Sequence, residues 1–341
     1  MNHREALFYE KKKSGAVKCS LCALRCTIRE GKRGVCRVRI NRNGKLYTLT
    51  YGMLSSKSPD PIEKKPLFHF YPGSFSFSIA TAGCNLSCPW CQNHDLSQSV
   101  RRGVEPNQIG VWTPPENIVK YALKTNCSSI SYTYSEPTIF YEYARDIAVM
   151  AKKAGLRNVF VTNGMMTPEV VKDMANFLDA ANVDIKSGSR EFYKKFCKGS
   201  LEGVFESTKT MWNLGIWVEV TTLLIPGFND SDRDIEAICE FILSVSKDIP
   251  WHISRFHPDN EWLSVQPTPV SSLQRAAYIG QKSGIRYIYI GNVMAPGFED
   301  TKCPNCGEIL IHRIGFSSAV TGMKEGKCKK CLTEIAGRWQ F

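Results

Sequence analysis

The sequence predicts an α/β protein in which a partial barrel of about six βα units lies between two small cysteine-rich regions. Two observations support this fold class. Apolar strand-like runs alternate with helical patterns through the middle of the 341-residue chain, as in a parallel sheet with crossover helices. Eleven of the 14 cysteines fall into three clusters, which divide the chain into regions 1–74, 75–297 and 298–341.

The predicted strands are short apolar runs, separated by helical patterns. Proline after threonine marks the start of a helix over 168–178, and Ser231 is a predicted N-cap for a helix over 231–245. A third helix, over 137–153, has a long apolar face. The predicted strands are 75–81, 128–134, 158–162, 181–185, 217–224, 251–255 and 286–290.

Each flanking region contains a sequence pattern that predicts its local structure. In the first, residues 38–51 alternate around Asn43-Gly44, a dipeptide that supplies the positive φ angles of a tight hairpin. In the last, about forty residues have too little core to fold unaided, so four cysteines predict a metal-stapled tail.

Composition indicates an ordinary globular protein with a basic surface. The first 15 residues carry charges where a signal peptide needs an apolar core, so we expect a cytoplasmic protein without membrane spans. Thiols stay reduced there, which makes the cysteines candidates for metal binding. The net charge of +12 favours an anionic partner, although nucleic acid is not favoured because no RNA-binding signature accompanies it.

The central cysteines form a C-x3-C-x2-C run, Cys84, Cys88 and Cys91, directly after the first predicted barrel strand. Parallel barrels place their active sites at this end of the strands. Three thiolates can hold an iron-sulfur cluster and leave one iron open to an exogenous ligand. The alternative is a zinc site completed by His94, although structural zinc sites need four ligands.

With Trp90 just before its last cysteine, this run resembles the hallmark of the radical S-adenosylmethionine (SAM) superfamily. The barrel is similar to that of pyruvate formate-lyase-activating enzymes. The N-terminal cysteines, the segment 61–70 and the terminal cysteines resemble the radical SAM member of the AmmeMemoRadiSam system. The resemblance implies a radical SAM barrel whose [4Fe-4S] cluster, on Cys84, Cys88 and Cys91, binds SAM at the open iron.

The resemblance also implies a SAM pocket built from successive strand ends. Glu136 would accept a hydrogen bond from the methionine amino group, and Asp184 and Lys186 would lie near the ribose and the carboxylate. Two motif glycines are absent before Glu136, and Val161 replaces an aspartate. The implied cofactor-binding residues are Trp90, Ser135, Glu136, Thr162, Asn163, Asp184, Lys186, Ile225 and His257.

Plain structural roles are open for several of these residues. Glu136 could cap the helix that begins at Pro137, and Asp184 and Lys186 could form an ion pair at the rim. His257 could be an ordinary loop histidine. Their recurrence at successive strand ends favours a pocket.

The flanking cysteines predict further metal sites. Cys303, Cys306, Cys328 and Cys331 form two C-x2-C knuckles, which favour a zinc ribbon over a second iron-sulfur cluster. The second group is Cys19, Cys22, Cys26 and Cys36, whose spacing is less diagnostic. Sets of four thiolates bind zinc and auxiliary iron-sulfur clusters alike, so the sequence favours neither metal site over the other.

Three cysteines stand outside these groups, and Cys127 and Cys239 are expected to be inert. Cys197 follows the strand that carries Asp184, which makes it a candidate redox residue facing the pocket.

The predicted function is reductive cleavage of SAM to a 5′-deoxyadenosyl radical that abstracts hydrogen from an unidentified substrate. A one-electron donor of the flavodoxin or ferredoxin type would be needed. The resemblance also implies Memo and AMMECR-type partners. The alternatives are an activase for a glycyl-radical enzyme and a non-catalytic, metal-stapled adaptor for nucleic acid or protein.

Overall fold

The computed structural model describes residues 4–293 and 297–339, so the ends of the predicted regions at 1–3, 294–296 and 340–341 lie outside it. Its centre is an eight-stranded sheet with the strand order β16-β15-β14-β13-β12-β11-β9-β8. The strands of this sheet are β8 (Ser56–Pro61), β9 (Phe75–Ala80), β11 (Ser129–Tyr132), β12 (Arg157–Thr162), β13 (Ala180–Asp184), β14 (Trp217–Leu224), β15 (Trp251–Arg255) and β16 (Ile288–Gly291).

From β9 to β16 each strand runs parallel to its neighbour, and β8 pairs antiparallel with β9. Six crossovers therefore link seven parallel strands, which confirms the predicted α/β fold of six βα units. The sheet stays open between β8 and β16, as a partial barrel requires. β8 comes from the chain segment before residue 75, whose strand pattern was missed because its sequence, SKSPDP, contains two prolines.

The α-helices cover the sheet, and their starts follow ordinary capping chemistry. The Ser231 hydroxyl accepts from the Asp234 N–H at 3.2 Å, so the predicted cap is present. The helix expected over 168–178 ends at Met174. The helices described are α1 (His94–Ser97), α2 (Pro106–Ile109), α3 (Pro115–Lys124), α4 (Tyr141–Lys153), α5 (Pro168–Met174), α6 (Arg190–Phe192), α7 (Leu201–Asn213), α8 (Asp232–Val245) and α9 (Val270–Ser283).

Two other helical segments matter for the site. A 3-10 turn over Pro137–Phe140 precedes α4, so the helix predicted from 137 begins with a tighter turn. A π-helical turn over Tyr193–Cys197 follows α6 and ends at Lys198, whose φ is 56°. No helix in the described ranges is long and apolar enough to cross a membrane.

The N-terminal region consists of short antiparallel strands. β5 and β6 form the predicted hairpin, in which Arg42 pairs with Lys45 and the turn residues Asn43 and Gly44 have φ angles of 53° and 69°. The strands are β1 (Arg4–Glu5), β2 (Tyr9–Lys11), β3 (Val17–Cys19), β4 (Thr27–Ile28), β5 (Arg39–Arg42), β6 (Lys45–Thr48) and β7 (Met53–Leu54), and β7 pairs with β10 (Val111–Trp112).

The C-terminal tail is a set of small antiparallel pairs that packs at the opposite end of the barrel from the cysteine loop. Arg313 donates to the Phe68 carbonyl at 2.7 Å, and the Arg338 N–H donates to the His69 carbonyl at 2.7 Å. The tail strands are β17 (Thr301–Lys302), β18 (Ile309–Ile314), β19 (Ser317–Val320), β20 (Met323–Lys324) and β21 (Lys327–Cys328).

The segment between β8 and β9 closes the amino ends of the strands around a buried carboxylate, Glu219. The backbone N–H groups of Phe68 and His69 donate to it at 2.9 and 2.7 Å. Trp217 and His252 contact it at 3.0 and 2.7 Å. Burial opposes the charge, but His252, His69 and Trp217 together outweigh it, so the pKa of Glu219 lies below its usual value. This network anchors the segment to β14 and β15.

His69 gives the fold a measurable pH dependence. Burial lowers the pKa of His69 to about 4, whereas an unfolded chain takes up this proton near its ordinary pKa of about 6.5. Its contribution to stability is therefore complete above about pH 6.5 and falls as the pH is lowered toward about 4. Between pH 7 and 5.5 the loss is about 1 kcal/mol.

Urea unfolding of wild type and His69→Gln at these two pH values measures this loss. We expect the variant to be less stable at both values and to show a smaller drop in the free energy of unfolding. Equal drops in the two proteins would contradict the assignment to His69.

Candidate functional site

The three central cysteines lie on the loop that leaves the carboxyl end of β9. Gly83, with a φ of 108°, lets this loop turn under the N-terminal region, because a Cβ there would lie 2.9 Å from Val38 Cγ1. Cys84 Sγ accepts from the Leu86 N–H at 3.4 Å and from Asn163 Nδ2 at 3.6 Å. The loop is therefore held by the hairpin region on one side and by the end of β12 on the other.

The environment of these sulfurs disfavours uncompensated thiolates. Burial, and next the charge of Glu136, raises the pKa of Cys84 well above its usual value. Contact with the Cys197 thiol, and then burial, raises the pKa of Cys88. Burial also raises the pKa of Cys91. Thiolates in such surroundings need a bound cation, and the iron of an iron-sulfur cluster would supply this positive charge.

The three cysteines open on a cavity of about 310 Å³, within the usual range for small-molecule sites. Its walls come from the carboxyl ends of neighbouring strands. The predicted residues in its lining are Cys84, Cys88, Trp90, Cys91, Ser135, Glu136, Thr162, Asn163, Asp184 and Lys186.

Glu136 ties two strand ends together. Its Oε1 accepts from the Thr138 N–H at 3.0 Å, from the Thr138 hydroxyl at 2.5 Å and from the Thr162 hydroxyl at 2.7 Å. Its Oε2 accepts from the Asn163 N–H at 2.8 Å. Burial raises the pKa of Glu136 despite these donors. The plain capping role is therefore present, and Oε2 keeps a lone pair for a further donor from the cavity.

Asp184 and Lys186 form an ion pair of 2.7 Å at the end of β13. Burial opposes the charge of Lys186, but the Asp184 carboxylate more than offsets this and raises the pKa of Lys186. Lys186 therefore stays cationic beside the cysteine sulfurs, where it can hold an anionic ligand group.

Two hydroxyls in the lining fit an absent ligand. Within the described part of the chain, Ser135 Oγ and Thr221 Oγ1 are buried without a hydrogen-bond partner, and both residues line the cavity. Buried polar groups without partners are costly and uncommon in native proteins. Together with the three sulfurs of the cysteine loop, they fit a polar ligand carried on a metal cluster.

Two predicted residues lie elsewhere. Ile225 and His257 follow β14 and β15 but are absent from the cavity lining; Ile225 is buried, and its N–H donates to Asn229 at 2.6 Å. Both residues follow the strands that the motif predicted, but the loops after β14 and β15 place them outside the cavity lining.

His94 is also set apart from the three sulfurs. Its ring contacts Asp95 and Asp259 at 3.1 and 3.6 Å. In the described ranges it joins no group whose ligand atoms all lie within 4.8 Å, so the geometry does not support zinc bound by this histidine.

Several lining residues were missed by sequence reasoning. Thr221 lies within β14 and Ser254 within β15. Because successive side chains of a strand point to opposite faces, the alternation of residues along these strands could have indicated that both point inward. Lys65 comes from the segment before β9 and pairs with Asp60 at 2.8 Å inside the barrel. Burial lowers the pKa of Lys65 to about 8. No local pattern marks a lysine that reaches the interior from so distant a segment.

Comparison with known proteins accords with this geometry. Residues 78–242 match the family model of the Radical SAM superfamily, a span that holds the three cysteines and the strands around the cavity. The chain contains a radical SAM domain. An uncharacterised protein of Methanocaldococcus jannaschii is 44% identical over 335 residues, covering 97% of this chain and 98% of that protein.

Other relatives are more distant. A protein of Methanocaldococcus jannaschii described as a glycyl-radical enzyme activating enzyme is 26% identical and covers 66% of this chain and 90% of its own length. The pyruvate formate-lyase 1-activating enzyme of Escherichia coli is 25% identical over 47% of this chain and 65% of its own length. The recognised resemblance to radical SAM activating enzymes is thus confirmed.

Among solved structures, a radical SAM methyltransferase from Sphaerobacter thermophilus superposes with a TM-score of 0.51 at 15% identity, covering 65% of this chain and 67% of that one. At this identity the likeness concerns the fold alone.

The terminal cysteines form a compact tetrad. The sulfurs of Cys303 and Cys331 are 3.5 Å apart, and those of Cys306 and Cys328 are 3.7 Å apart. All four ligand atoms lie within 4.8 Å of one another. Four sulfurs at Zn–S distances of about 2.3 Å around one tetrahedral ion stand roughly this far apart. The tail therefore has the geometry of a single-ion site.

The N-terminal cysteines gather in a different way. Cys19 ends β3, and its N–H donates to the Cys26 carbonyl at 2.9 Å across the β3–β4 pair. A Cβ at Gly34 would lie 3.8 Å from Cys36 Sγ and 4.0 Å from Cys26 Sγ. Burial, and next the charges of its neighbouring cysteines, raise the pKa of Cys22 to about 12.

The single-ion geometry of the tail is testable with cobalt. We expect the purified, metal-stripped chain to take up Co²⁺ at the terminal tetrad and to show the intense visible absorption of tetrahedral thiolate coordination. Cys306→Ser should lose this absorption and unfold at a lower temperature, because the tail has little core of its own. Cys239→Ser, at a buried cysteine outside the metal groups, is the control; an unchanged Cys306→Ser spectrum would contradict the site.

Proposed function

We propose that Cys84, Cys88 and Cys91 hold a [4Fe-4S] cluster and that the adjacent cavity binds SAM, with hydrogen abstraction from a substrate as the outcome. The observation that carries this proposal is the opening of three thiols onto a cavity lined by strand-end polar groups, two of them hydroxyls without partners. When bound, the two groups supply reductive cleavage of a carbon–sulfur bond and radical chemistry that protein side chains cannot perform.

In this proposal the side chains of the cavity bind SAM and orient it on the cluster. Glu136 Oε2 accepts from the ligand's amino group, because it has one protein donor whereas Oε1 of the same carboxylate has three. The Lys186 ammonium lies in the cavity lining at the end of β13 and holds the carboxylate of the ligand. Ser135 and Thr221 supply hydroxyl partners for its remaining polar atoms.

Water exclusion is the second task of the chain. Trp90 is buried between Phe192 and Trp262, with ring centroids 5.4 and 4.8 Å away. Phe228 stacks on Trp262 at 4.2 Å. This aromatic group covers the cysteine loop on the side of the π-helical turn and keeps solvent from a reactive site.

Partners follow from the chemistry and from the resemblance. A one-electron donor of the flavodoxin or ferredoxin type would reduce the cluster. Memo and AMMECR-type proteins stay as partners implied by the AmmeMemoRadiSam resemblance. In the tail we propose zinc, because four thiolates at single-ion spacing are the ligand set that structural zinc prefers.

A second candidate is activation of a glycyl-radical enzyme. It is favoured by the relative described as such an activating enzyme, which matches this chain over 90% of its own length. The cavity chemistry would be the same, and the substrate would be a backbone glycine of a partner protein. The non-catalytic adaptor has less support, because an adaptor has no need of a cavity beside the three thiols.

The proposal is tested by comparing wild type with a Cys84→Ala/Cys88→Ala/Cys91→Ala variant after anaerobic reconstitution. With dithionite and SAM, we expect 5′-deoxyadenosine from wild type and at least a hundredfold less from the variant. Cys127→Ala/Cys239→Ala is the control for loss of thiols in general and should keep wild-type yield. Equal yields from wild type and the triple variant would contradict the proposal.

A further inference from the structure

We propose that Cys19, Cys22, Cys26 and Cys36 hold a second iron-sulfur cluster, which passes electrons to the central cysteine site. These four cysteines form the N-terminal tetrad. The presence of the cluster is independent of the proposed function, whereas its role as an electron relay rests on it.

The spacing of the sulfurs favours a cluster over a single ion. In the described ranges, the terminal tetrad is the one group of cysteine, histidine or carboxylate ligands whose atoms all lie within 4.8 Å. The N-terminal tetrad gathers four thiols in one small region but does not meet this limit. Thiolates that share one ion must stand close together, whereas thiolates on separate irons of a cluster stand farther apart. The same chain thus shows a single-ion spacing in its tail and a wider one here.

A buried cation, Arg39, lies beside the N-terminal tetrad. Arg39 is 1% exposed, and its Nη1 donates to Cys19 Sγ at 3.5 Å. Its Nη2 pairs with the buried Glu142. Its Nε is buried without a partner in the part of the chain described. A charge-assisted donor to a ligating sulfur stabilises the added negative charge of a reduced cluster, and the free N–H leaves capacity for a second such bond.

A short chain of contacts leads from the N-terminal tetrad to the central site. The backbone of Cys22 forms an isolated antiparallel β-bridge with that of Met166, and the Ala23 N–H donates to the Met165 carbonyl at 3.0 Å. The Met165 N–H in turn donates to Asn163 Oδ1 at 3.0 Å. Asn163 Nδ2 then contacts Cys84 Sγ at 3.6 Å. Three hydrogen bonds therefore link the tetrad loop to a sulfur of the proposed catalytic cluster.

The surface around the tetrad suits an acidic electron donor. The segment 20–37 exposes Arg25, Arg29, Lys32 and Arg37 against one acidic residue of its own, Glu30, and Arg25 also pairs with Glu169 at 3.4 Å. Such an excess of positive charge steers anionic partners to a site and raises their rate of association. A reduced, acidic one-electron protein would dock here and give one electron to the tetrad cluster. That cluster would return to its oxidised state by passing the same electron to the central cluster, with no proton or bond change at the tetrad.

Metal content and EPR of reconstituted full-length protein test the cluster directly. We expect about eight irons and one zinc in wild type, and about four irons and one zinc in the Cys84→Ala/Cys88→Ala/Cys91→Ala variant. The triple variant should show the EPR signal of a reduced cluster after dithionite. Wild type with about four irons and two zincs overturns the proposal, and this count stands even where the triple variant does not fold.

The relay is tested with Cys22→Ser/Cys36→Ser, which keeps the central cysteines. With a reduced flavodoxin as donor, we expect its 5′-deoxyadenosine yield to fall at least tenfold, while Cys127→Ala/Cys239→Ala matches wild type. Wild-type yield from a Cys22→Ser/Cys36→Ser protein that holds only about four irons overturns the relay. If wild type holds eight irons yet forms no 5′-deoxyadenosine, the proposed function fails and the second cluster stands.

Discussion

The buried carboxylate of Glu136 is the interaction on which the site depends. It receives donors from the first turn after β11 and from the end of β12, so it fixes two strand ends at one height. Asn163, which it holds through the backbone, extends its side chain to Cys84 and Asn85. Leaving such a carboxylate buried without these donors would cost several kcal/mol. The cavity wall and the cysteine loop therefore keep their positions only together.

The two ends of the barrel have different tasks. At the amino ends of the strands, Glu219 gathers the segment between β8 and β9, and the C-terminal tail packs on that segment through Arg313 and Arg338. At the carboxyl ends, the N-terminal region packs beside the cysteine loop, where Val38 lies against Gly83. It also contacts the end of β12, where the Ala23 N–H donates to the Met165 carbonyl. The tail thus supports the scaffold, whereas the N-terminal tetrad lies where it can influence the chemistry.

Much of the fold could be predicted because its signals are local. The alternation of apolar strands with helices, the Asn43-Gly44 turn and the Ser231 cap each depend on a few neighbouring residues. The same holds for the strand-end position of Cys84, Cys88 and Cys91. Most of the implied pocket residues line one cavity, because the carboxyl ends of parallel strands meet at one edge of the sheet.

The rest depends on contacts between distant segments, which no local pattern records. Lys65 reaches the cavity from the opposite end of the barrel, and the proline-containing β8 pairs with β9 as an edge strand. Ile225 and His257 leave the cavity because of the path of their loops. The contact of Cys197 with Cys88 depends on a π-helical turn that sequence periodicity does not reveal. The roles of the pocket residues and the AmmeMemoRadiSam assignment stay predictions.

The central claim is that three cysteines leave one iron of the cluster open to a ligand in the Glu136 cavity. EPR spectroscopy of the dithionite-reduced protein, before and after addition of SAM, tests it most directly. A variant that lacks the N-terminal tetrad, Cys22→Ser/Cys36→Ser, removes overlap from a second cluster. We expect SAM to change the g-values of the central cluster, because it would become a ligand of the open iron. A spectrum unchanged at saturating SAM would contradict it.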